Sequence, residues 1–258
     1  MWNVRRLTEP AEILAFLERD RVYAAYAIGD LEPELFKHTE WCVAEADGQP
    51  KTLALHFTGL EPAALFLMGE AAGLPVILGS ALRPRLVCAS APREHLAVLQ
   101  AFYLPLQTQR VIRMVLDVAA FQPTDGEVLP LSPAYSRQLE RLYVMAEGLA
   151  FSPYQVAQGV FYGVTDRDRL VSTAGTHVVS EMYGVAAVGN VFTHPAYRQR
   201  GLGARCTAAV VQELLSRRIQ TVVLNVFEEN QAAYRIYRRM GFREHCRYVE
   251  VVARRRSR

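Results

Sequence analysis

Apolar residues recur at helical spacing in three segments of the C-terminal half of the chain. They fall at every third or fourth position, which places them along one face of a helix. The predicted helices cover residues 134–146, 201–217 and 230–240. Gly241 follows the last of these segments, at a position where glycine commonly ends a helix.

Short apolar runs bounded by turn residues alternate with these helices and predict strands. In the C-terminal half they cover residues 159–164, 170–179, 185–192, 221–227 and 247–252. Residues 180–184 have the composition of a turn between the second and third of these strands. Strands interleaved with helices indicate an α/β or α+β fold.

The N-terminal half shows the same mixture in a less regular form. Helical segments are predicted over residues 9–19, 22–36 and 93–103, the second of them helical or irregular. Strands are predicted over residues 41–44, 52–58, 64–68, 85–89 and 110–118. Tyr23, Tyr26 and Asp30 lie in the second helical segment and are candidates to face a substrate. Ordinary packing of an amphipathic helix is the simpler explanation for them.

The segment 121–126, which reads FQPTDG, separates the two halves. Proline, aspartate and glycine are typical of connections rather than of helices or strands. The chain has 258 residues, which suffices for one large domain or two small ones. We therefore predict an N-terminal α/β domain over residues 1–122 and a second domain over residues 127–258.

Positive charge is concentrated at the C-terminus. The formal net charge is +3, and the tail supplies four positive charges through Arg254, Arg255, Arg256 and Arg258. The other residues together carry a net charge of −1, which argues against a basic fold surface for nucleic acid. The tail is predicted to be a frayed, solvated terminus, with nucleic-acid binding by the tail as the alternative.

Cysteine spacing and hydropathy limit the cellular setting. The four cysteines are scattered, without the close pairs of a zinc site or a disulfide framework: Cys42, Cys88, Cys206 and Cys246. The first residues lack the apolar core of a signal peptide, and no apolar run reaches the ~18 residues of a membrane span. We expect a cytoplasmic protein without a bound metal ion, a nucleic-acid partner or a membrane partner.

A basic segment with two glycines opens the helix predicted at 201–217. It reads RQRGLGA over residues 198–204 and follows a predicted strand. Gly201 and Gly203 let the backbone approach a ligand, and a helix N-terminus presents unpaired N–H groups with a partial positive charge. Arg198 and Arg200 add forked donors that suit phosphate oxygens.

Two common phosphate loops do not match this segment. The chain contains no Walker A string, and Cys206 occupies the third glycine position of a dinucleotide-binding loop. From the segment alone, a site for a di- or polyphosphate and an ordinary basic helix start are equally supported.

The neighbouring residues carry a resemblance to a known family. The chain reads NVFTHPAYRQRGLGA and, after the helix, TVVLNVFEENQAAYRIYRRMGF. This order of strand, proline-containing connection, Arg-x-x-Gly-x-Gly, helix, strand, Asn-x-x-Ala-x-x-x-Tyr and Gly-Phe resembles the GNAT superfamily of acyl-CoA-dependent N-acyltransferases. The strings FYGV, AGTHVVS and VGNVFTHP resemble members near its glycine N-acyltransferase and FR-type branch.

This resemblance implies a mixed, splayed central sheet flanked by helices and a site for acetyl-CoA or another short acyl-CoA. It implies that the backbone of the strand before the loop pairs with the pantetheine arm, at Val191, Phe192 and Thr193. It places the pyrophosphate on the loop and the helix start, at Arg198, Gln199, Arg200, Gly201, Leu202, Gly203 and Ala204.

Two further residues match the family's pattern in the last predicted helix. The resemblance implies that Asn230 contacts the cofactor arm and that Tyr237 protonates the departing thiolate. Both have structural alternatives. Asparagine is a common helix cap, and Tyr237 shares a helix face with Ala233 and Met240, as a core aromatic would.

The base that takes a proton from the amine is the least defined part of the predicted site. Many family members carry a glutamate on the strand before the loop, but residues 185–191 contain no carboxylate. His177 is the best replacement, because an ordinary histidine pKa of about 6.5 suits a base at neutral pH. A hydrogen-bonded strand histidine is its structural alternative, while Glu181 and an Asn190-bound water are other candidates for the base.

Together these features predict an N-acetyltransferase that moves an acetyl group from acetyl-CoA to a primary amine of a small molecule or amino acid, by direct attack in a ternary complex. The alternative is an acyl-CoA-binding regulatory module without turnover, which the missing strand carboxylate favours. The N-terminal domain is interpreted as a degenerate copy of the same fold that walls the acceptor site, with residues 74–79 as the vestige of the loop. The acceptor, the acyl chain length and the choice between monomer and homodimer stay open.

Overall fold

The chain folds into two compact units. The computed structural model describes residues 1–146 and 151–257. Unit 1 comprises Met1–Arg113, Phe227–Glu229 and Cys246–Arg258, and unit 2 comprises Met114–Val226 and Asn230–His245. This division differs from the predicted one, because the boundary lies at 113/114 and the predicted connection at 121–126 falls inside unit 2.

Unit 1 consists of strands and short helices in alternation. Its first elements are β1 (Trp2–Leu7), α1 (Pro10–Leu17), α2 (Ala25–Gly29), α3 (Pro33–Phe36), β2 (Thr39–Ala46), β3 (Gln49–Phe57) and β4 (Ala63–Gly69). They are followed by α4 (Leu74–Val76) with a π-helical turn (Ile77–Ala81), β5 (Leu86–Ala91), α5 (Leu96–Phe102) and β6 (Tyr103–Leu116). The last three residues of β6 belong to unit 2.

The sheet of unit 1 has the order β1-β2-β3-β4-β5. Its first four strands are antiparallel neighbours, whereas β4 and β5 run parallel, from Ala63–Val87 to Phe66–Ser90. Parallel neighbours need a crossover, which the helical connection through α4 provides. An apolar core that includes Leu65, Leu78 and Val87 packs against this crossover.

Unit 2 repeats the alternation. Its elements are β7 (Leu129–Pro130), α6 (Ser136–Tyr143), α7 (Pro153–Gln158), β8 (Tyr162–Asp166), β9 (Arg169–Ser180), β10 (Val185–Thr193), α8 (Leu202–Ser216), β11 (Thr221–Phe227), α9 (Gln231–Met240) and β12 (Phe242–Arg255). Phe227 of β11 and the residues of β12 from Cys246 onward belong to unit 1.

The sheet of unit 2 has the order β11-β10-β9-β8-β7. β10 and β11 are parallel and are joined by the crossover helix α8, while the other neighbours are antiparallel. The predicted apolar face of α6 is confirmed, since Leu139, Leu142 and Tyr143 are all buried. Both units combine helices with a mixed sheet, which confirms the predicted α+β class.

The C-terminal arginines up to Arg256 form hydrogen bonds within unit 1. The prediction of a frayed terminus is therefore wrong for Arg254, Arg255 and Arg256. β12 pairs with β5 as far as Arg254. The Arg255 guanidinium donates to the carbonyl of Leu78 at 2.7 Å, and Arg256 Nε donates to the carbonyl of Gln100 at 2.9 Å. The pattern could not reveal this, because the carbonyls that hold the arginines lie far away in the sequence. Arg258 lies outside the described residues.

Four elements are not predicted by the apolar pattern: β1, α4, β7 and α7. β1 reads WNVRRL, where polar residues interrupt the apolar alternation. α7 is short and depends on its cap: Ser152 Oγ accepts from the N–H of Tyr154, and Gln155 Oε1 accepts from the N–H of Ser152. Among the described residues, no helix is long and apolar enough to cross a membrane.

Candidate active site

The connection between β10 and α8 has the backbone geometry of an anion-binding loop. Gln199 (φ 64°) and Gly201 (φ 74°) are both in the left-handed region, and α8 begins at Leu202. Such turns expose successive backbone N–H groups to a common point, in front of the positive end of the helix dipole. The side chain of His194 shapes the start of the connection, because its Nδ1 accepts from the N–H of Ala196 at 3.2 Å.

The two predicted loop arginines hold the connection and remain exposed to solvent. Arg198 Nε donates to the carbonyl of Thr193 at 3.3 Å, and Arg200 Nη2 donates to the carbonyl of Ala196 at 3.3 Å. Each guanidinium has five N–H donors, so these single bonds leave donors for an anion at the helix start.

Gly203 allows the start of α8 to lie close to the end of β10. A Cβ at this position would lie 3.2 Å from Thr193 Oγ1 and 3.7 Å from Val191 Cγ1. Thr193 is itself fixed by a 2.8 Å hydrogen bond between its hydroxyl and that of Ser172. The structure therefore brings together the predicted loop residues and the predicted strand residues Val191 and Thr193.

β10 and β11 part beyond their first four paired residues. The parallel pairing ends at Val188 and Leu224, although both strands continue. We call the space bounded by Gly189–Thr193 and Asn225–Val226 the β10–β11 opening. It confirms the predicted splayed sheet, and it leaves strand edges without a ladder partner where an extended ligand can pair with backbone.

Two buried polar atoms mark this opening. Asn190 Oδ1 and Asn225 Oδ1 are buried without a hydrogen-bond partner among the described residues. A buried amide oxygen without a partner is costly, so each of these oxygens is available to accept a hydrogen bond from a water molecule or a ligand. Asn225 was not predicted as a site residue; its signal was a polar residue within the apolar run 221–227.

A β-bulge fixes Asn190 at the edge of the opening. Pairing of β10 with β9 passes from Gly189–Gly175 to Phe192–Thr173, so that two residues of β10 face one residue of β9. Asn190 has a positive φ of 52°. The hydroxyl of Tyr143 donates to its carbonyl at 2.7 Å, and Asn190 Nδ2 donates to the carbonyl of Thr176 at 3.3 Å.

His177 lies at a second irregularity, on β9. Pairing passes from Ala187–Val178 to Val188–Thr176, which leaves His177 as an extra residue. Bulges commonly redirect side chains next to active sites. The imidazole of His177 occupies the space that a side chain at Gly189 would need, since a Cβ there would lie 2.0 Å from Nε2. The predicted base therefore sits against β10 one residue before Asn190.

Glu181, the other charged candidate for the base, is placed differently. It lies in the exposed turn after β9 and pairs with Arg217 at 3.6 Å. A surface ion pair of this kind explains the residue without a catalytic role.

α9 positions the two predicted residues that follow β11. Asn230 caps the helix, and its Oδ1 accepts from the N–H of Ala233 at 3.1 Å. Tyr237 is 8% exposed and packs edge-on against Phe242, with ring centroids 6.1 Å apart. Burial raises the pKa of Tyr237 to about 12, so this hydroxyl keeps its proton at neutral pH. Among the described residues we find no hydrogen-bond partner for it.

Comparison with known proteins shows which family this region of the chain is similar to. Residues 130–242 match the acetyltransferase (GNAT) family. A mycothiol acetyltransferase from Tsukamurella paurometabola is 36% identical over 81 residues, which are 31% of this chain and 28% of that protein. A ribosomal protein bS18-alanine N-acetyltransferase from Salmonella typhimurium is 33% identical over 81 residues, 31% of this chain and 53% of that protein. The aligned segment thus spans little more than a quarter of the first curated relative and about half of the second.

The likeness to solved structures extends over both halves of the chain. The X-ray structure of a Drosophila protein superposes with a TM-score of 0.76, at 13% identity, and covers 96% of this chain and 97% of that one. At this identity the match concerns the fold alone. Residues 130–242, which match the acetyltransferase (GNAT) family, contain both the loop and the β10–β11 opening.

Proposed function

We propose that unit 2 transfers an acetyl group from acetyl-CoA to a primary amine of a small molecule or amino acid, within a ternary complex. The observation that carries this proposal is the β10–β11 opening directly before the left-handed loop at the start of α8. An extended arm with a diphosphate at one end matches a splayed strand edge that leads to a helix N-terminus.

The residues of unit 2 fit such a donor. The N–H groups of residues 198–204 would hold the diphosphate, with Arg198 and Arg200 supplying positive charge. The free edge of β10 at Val191, Phe192 and Thr193 would pair with the amide groups of the arm. Asn190 Oδ1 and Asn225 Oδ1, which are buried without partners among residues 1–146 and 151–257, would accept hydrogen bonds from bound N–H groups.

Asn230 plays a smaller part in this proposal. Its side-chain oxygen already caps α9, so it would act on the donor mainly by fixing the start of that helix. A cap of this kind stabilises a helix by about 1 kcal/mol.

The chemistry of the chain's own residues follows from their protonation states. Acetyl-CoA supplies an acyl group activated as a thioester. His177 would accept the proton that the amine loses, since histidine is a common general base in catalysis. Tyr237 would give its proton to the departing sulfur, and its raised pKa of about 12 ensures that the phenol is protonated beforehand.

The name of one relative supports nitrogen as the accepting atom. The Salmonella typhimurium protein is named as an alanine N-acetyltransferase, so its acceptor is a nitrogen of an amino acid residue. His177 suits a nitrogen acceptor, because an ammonium group must lose a proton before it can attack a carbonyl carbon.

The test is thiol release from acetyl-CoA in the presence of a panel of amino acids and small primary amines. We expect release above the rate of hydrolysis with at least one amine, together with formation of the N-acetylated product. If acetyl-CoA raises the melting temperature but no amine produces turnover, the protein is instead an acyl-CoA-binding module. If neither effect occurs, the donor site itself is contradicted.

A further inference from the structure

Arg113 is a buried cation whose charge is only partly satisfied. It lies on β6 in unit 1 and is 3% exposed. Its Nε and Nη1 are buried and have no hydrogen-bond partner among the described residues. A guanidinium keeps its charge at any physiological pH, and buried charges are normally paired. Among the described residues, Arg113 therefore lacks acceptors for two of its three nitrogens.

Aromatic rings fix the orientation of this guanidinium. Its central carbon lies 4.5 Å from the ring centre of Tyr26 and 5.4 Å from that of Tyr248. These cation–π contacts stabilise the charge, but they provide no acceptor in the plane of the N–H groups. The donors are thus held in place without partners in their own plane.

The neighbouring carboxylate reaches Arg113 only through another side chain. Arg113 Nη2 donates to the hydroxyl of Tyr248 at 3.4 Å, and this hydroxyl donates to Glu250 Oε1 at 3.0 Å. Burial raises the pKa of Glu250 above its ordinary value, although Tyr248 and Arg113 oppose the rise. Glu250 therefore offsets part of the charge of Arg113 without a direct hydrogen bond to it. Nε and Nη1 of Arg113 remain as donors for another group.

We propose that Arg113 anchors a binding site in unit 1 for the carboxylate of a small organic acid. A carboxylate offers two coplanar oxygens that match the forked N–H groups of a guanidinium. The nearby negative charge of Glu250 favours this singly charged group over a phosphate dianion. The site lies in a different unit from the proposed acyl transfer and does not depend on it.

Tyr26 borders this site on its partly exposed side. Its ring covers one face of the guanidinium but is itself only half-buried. A small acid would therefore approach the donors of Arg113 from the side of Tyr26.

The test follows the Nε–H signal of Arg113 in a ¹H–¹⁵N spectrum of the full chain, assigned through its bonded side-chain carbons. Sodium acetate and sodium benzoate are the probes. Acetamide and benzamide are uncharged probes of the same shape, and sodium chloride matches the ionic strength. We expect a saturable shift with the two carboxylates alone. No saturable shift, or an equal shift with the amides, overturns the proposal.

Substitutions and a second anion sharpen this test. Arg113→Lys keeps the charge and removes the fork, so acetate binding should weaken at least about tenfold, whereas Arg110→Lys on the exposed part of β6 should leave it unchanged. Equal weakening in both variants, or none in Arg113→Lys, contradicts the proposal. Inorganic phosphate that binds more tightly than acetate contradicts the carboxylate class. If Arg113→Lys does not fold, the titration of the natural chain with its amide controls still decides.

Discussion

The two units share one succession of elements but differ at the place where a ligand can enter. In unit 1, β4 is followed by the connection with α4 and by the parallel strand β5; in unit 2, β10 is followed by α8 and by the parallel strand β11. In each unit the parallel pairing covers four residues of each strand. This similarity supports the interpretation of the N-terminal half as a degenerate copy.

In unit 1 the space beyond the last strand pair is filled by a side chain. Pairing ends at Phe66 and Ser90. The hydroxyl of Tyr23 donates to the carbonyl of Leu67 at 3.0 Å and lies 3.5 Å from the carbonyl of Ser90. Tyr23 is buried against Phe66 and Tyr248, so it is a packed residue and not a substrate-facing one.

The corresponding space in unit 2 is bordered by the amide oxygens of Asn190 and Asn225, which have no partner among the described residues. The connections differ as well. In unit 2, residues 198–204 carry two arginines and two glycines at the start of α8, a helix of 15 residues. In unit 1, α4 has only three residues and continues as a π-helical turn. Beyond the last parallel strand pair, the two units therefore differ in a few side chains, which fill the space in unit 1 and border it in unit 2.

The largest expected effect is a loss of turnover in unit 2 without a loss of acetyl-CoA binding. Tyr237→Phe should lower the turnover number by ~10²–10⁴-fold, because a thiolate would leave without its proton donor. The dissociation constant for acetyl-CoA should stay within about twofold of the natural value, since the ring and its packing are kept. Stopped-flow thiol release and calorimetry measure the two quantities.

Tyr234→Phe is the matched control on the same helix. Its hydroxyl donates to Glu244 at 3.4 Å, so its removal should leave turnover almost unchanged. If both variants retain full activity, Tyr237 is a core residue and the acid lies elsewhere.

A second effect concerns the base. His177→Gln should lower kcat/KM for the amine by ~10²-fold at neutral pH while the affinity for acetyl-CoA is unchanged. Gly189→Ala should have a similar but smaller effect, because the new Cβ displaces the ring of His177. Activity that is insensitive to both changes would leave His177 as a structural strand residue.

The third effect compares the two crossover connections directly. Arg198→Ala with Arg200→Ala should weaken acetyl-CoA binding by ~10–100-fold, the range expected when charge-assisted hydrogen bonds to phosphate are lost. Arg83→Ala with Arg85→Ala removes the same charge from the connection of unit 1 and should change the affinity less than about threefold. Equal losses in both double variants would mean that net charge rather than the loop holds the donor.

The fourth effect concerns the stability of unit 1 and not binding. Burial raises the pKa of Asp30 from its ordinary value of 3.8 to about 7. Between these values the folded chain keeps a proton that the unfolded chain has released, so stability falls as the pH rises and the loss is complete above about pH 7.

Asp30→Asn removes this dependence. The variant should be more stable than the natural chain at pH 8 and nearly equal to it at pH 4. Because the side chain of Asp30 is partly exposed, solvent screening limits the gain at pH 8 to ~1–3 kcal/mol. Urea unfolding at both pH values measures the difference, and a variant that is less stable at pH 8 would contradict the assigned environment.

The smallest expected effect concerns Tyr23, whose side chain fills the space beyond the last β4–β5 pair. Tyr23→Phe should destabilise the fold by ~1 kcal/mol through the lost hydrogen bond to Leu67. The ring still fills the space, so the number of acetyl-CoA molecules bound per chain should not change. A second bound acetyl-CoA in this variant would mean that the hydroxyl of Tyr23, and not its ring, excludes a ligand from unit 1.

Much of unit 2 could be predicted from the sequence. α8, β11 and α9 were predicted to within a residue or two, because apolar spacing and the glycine after α9 are local signals. The loop residues could be assigned because Arg198, Gly201 and Gly203 lie close together in the chain.

The remaining features depend on distant residues. The β10–β11 opening exists because two strands separated by a helix stop pairing, and no local pattern encodes that point. Arg113 lies in a segment predicted as an apolar strand, and its burial depends on Tyr26 and Tyr248, which are far from it in the sequence. The hydrogen bonds of Arg255 and Arg256 likewise depend on carbonyls of unit 1 that are far from them in the sequence.

Hydrogen–deuterium exchange with and without CoA tests most directly the claim that the donor lies in unit 2 and not in unit 1. The account predicts slower exchange in peptides that cover residues 189–204 and 225–226, with no change in peptides that cover residues 67–90. Slower exchange confined to residues 67–90, or none in the loop that opens α8, would contradict it.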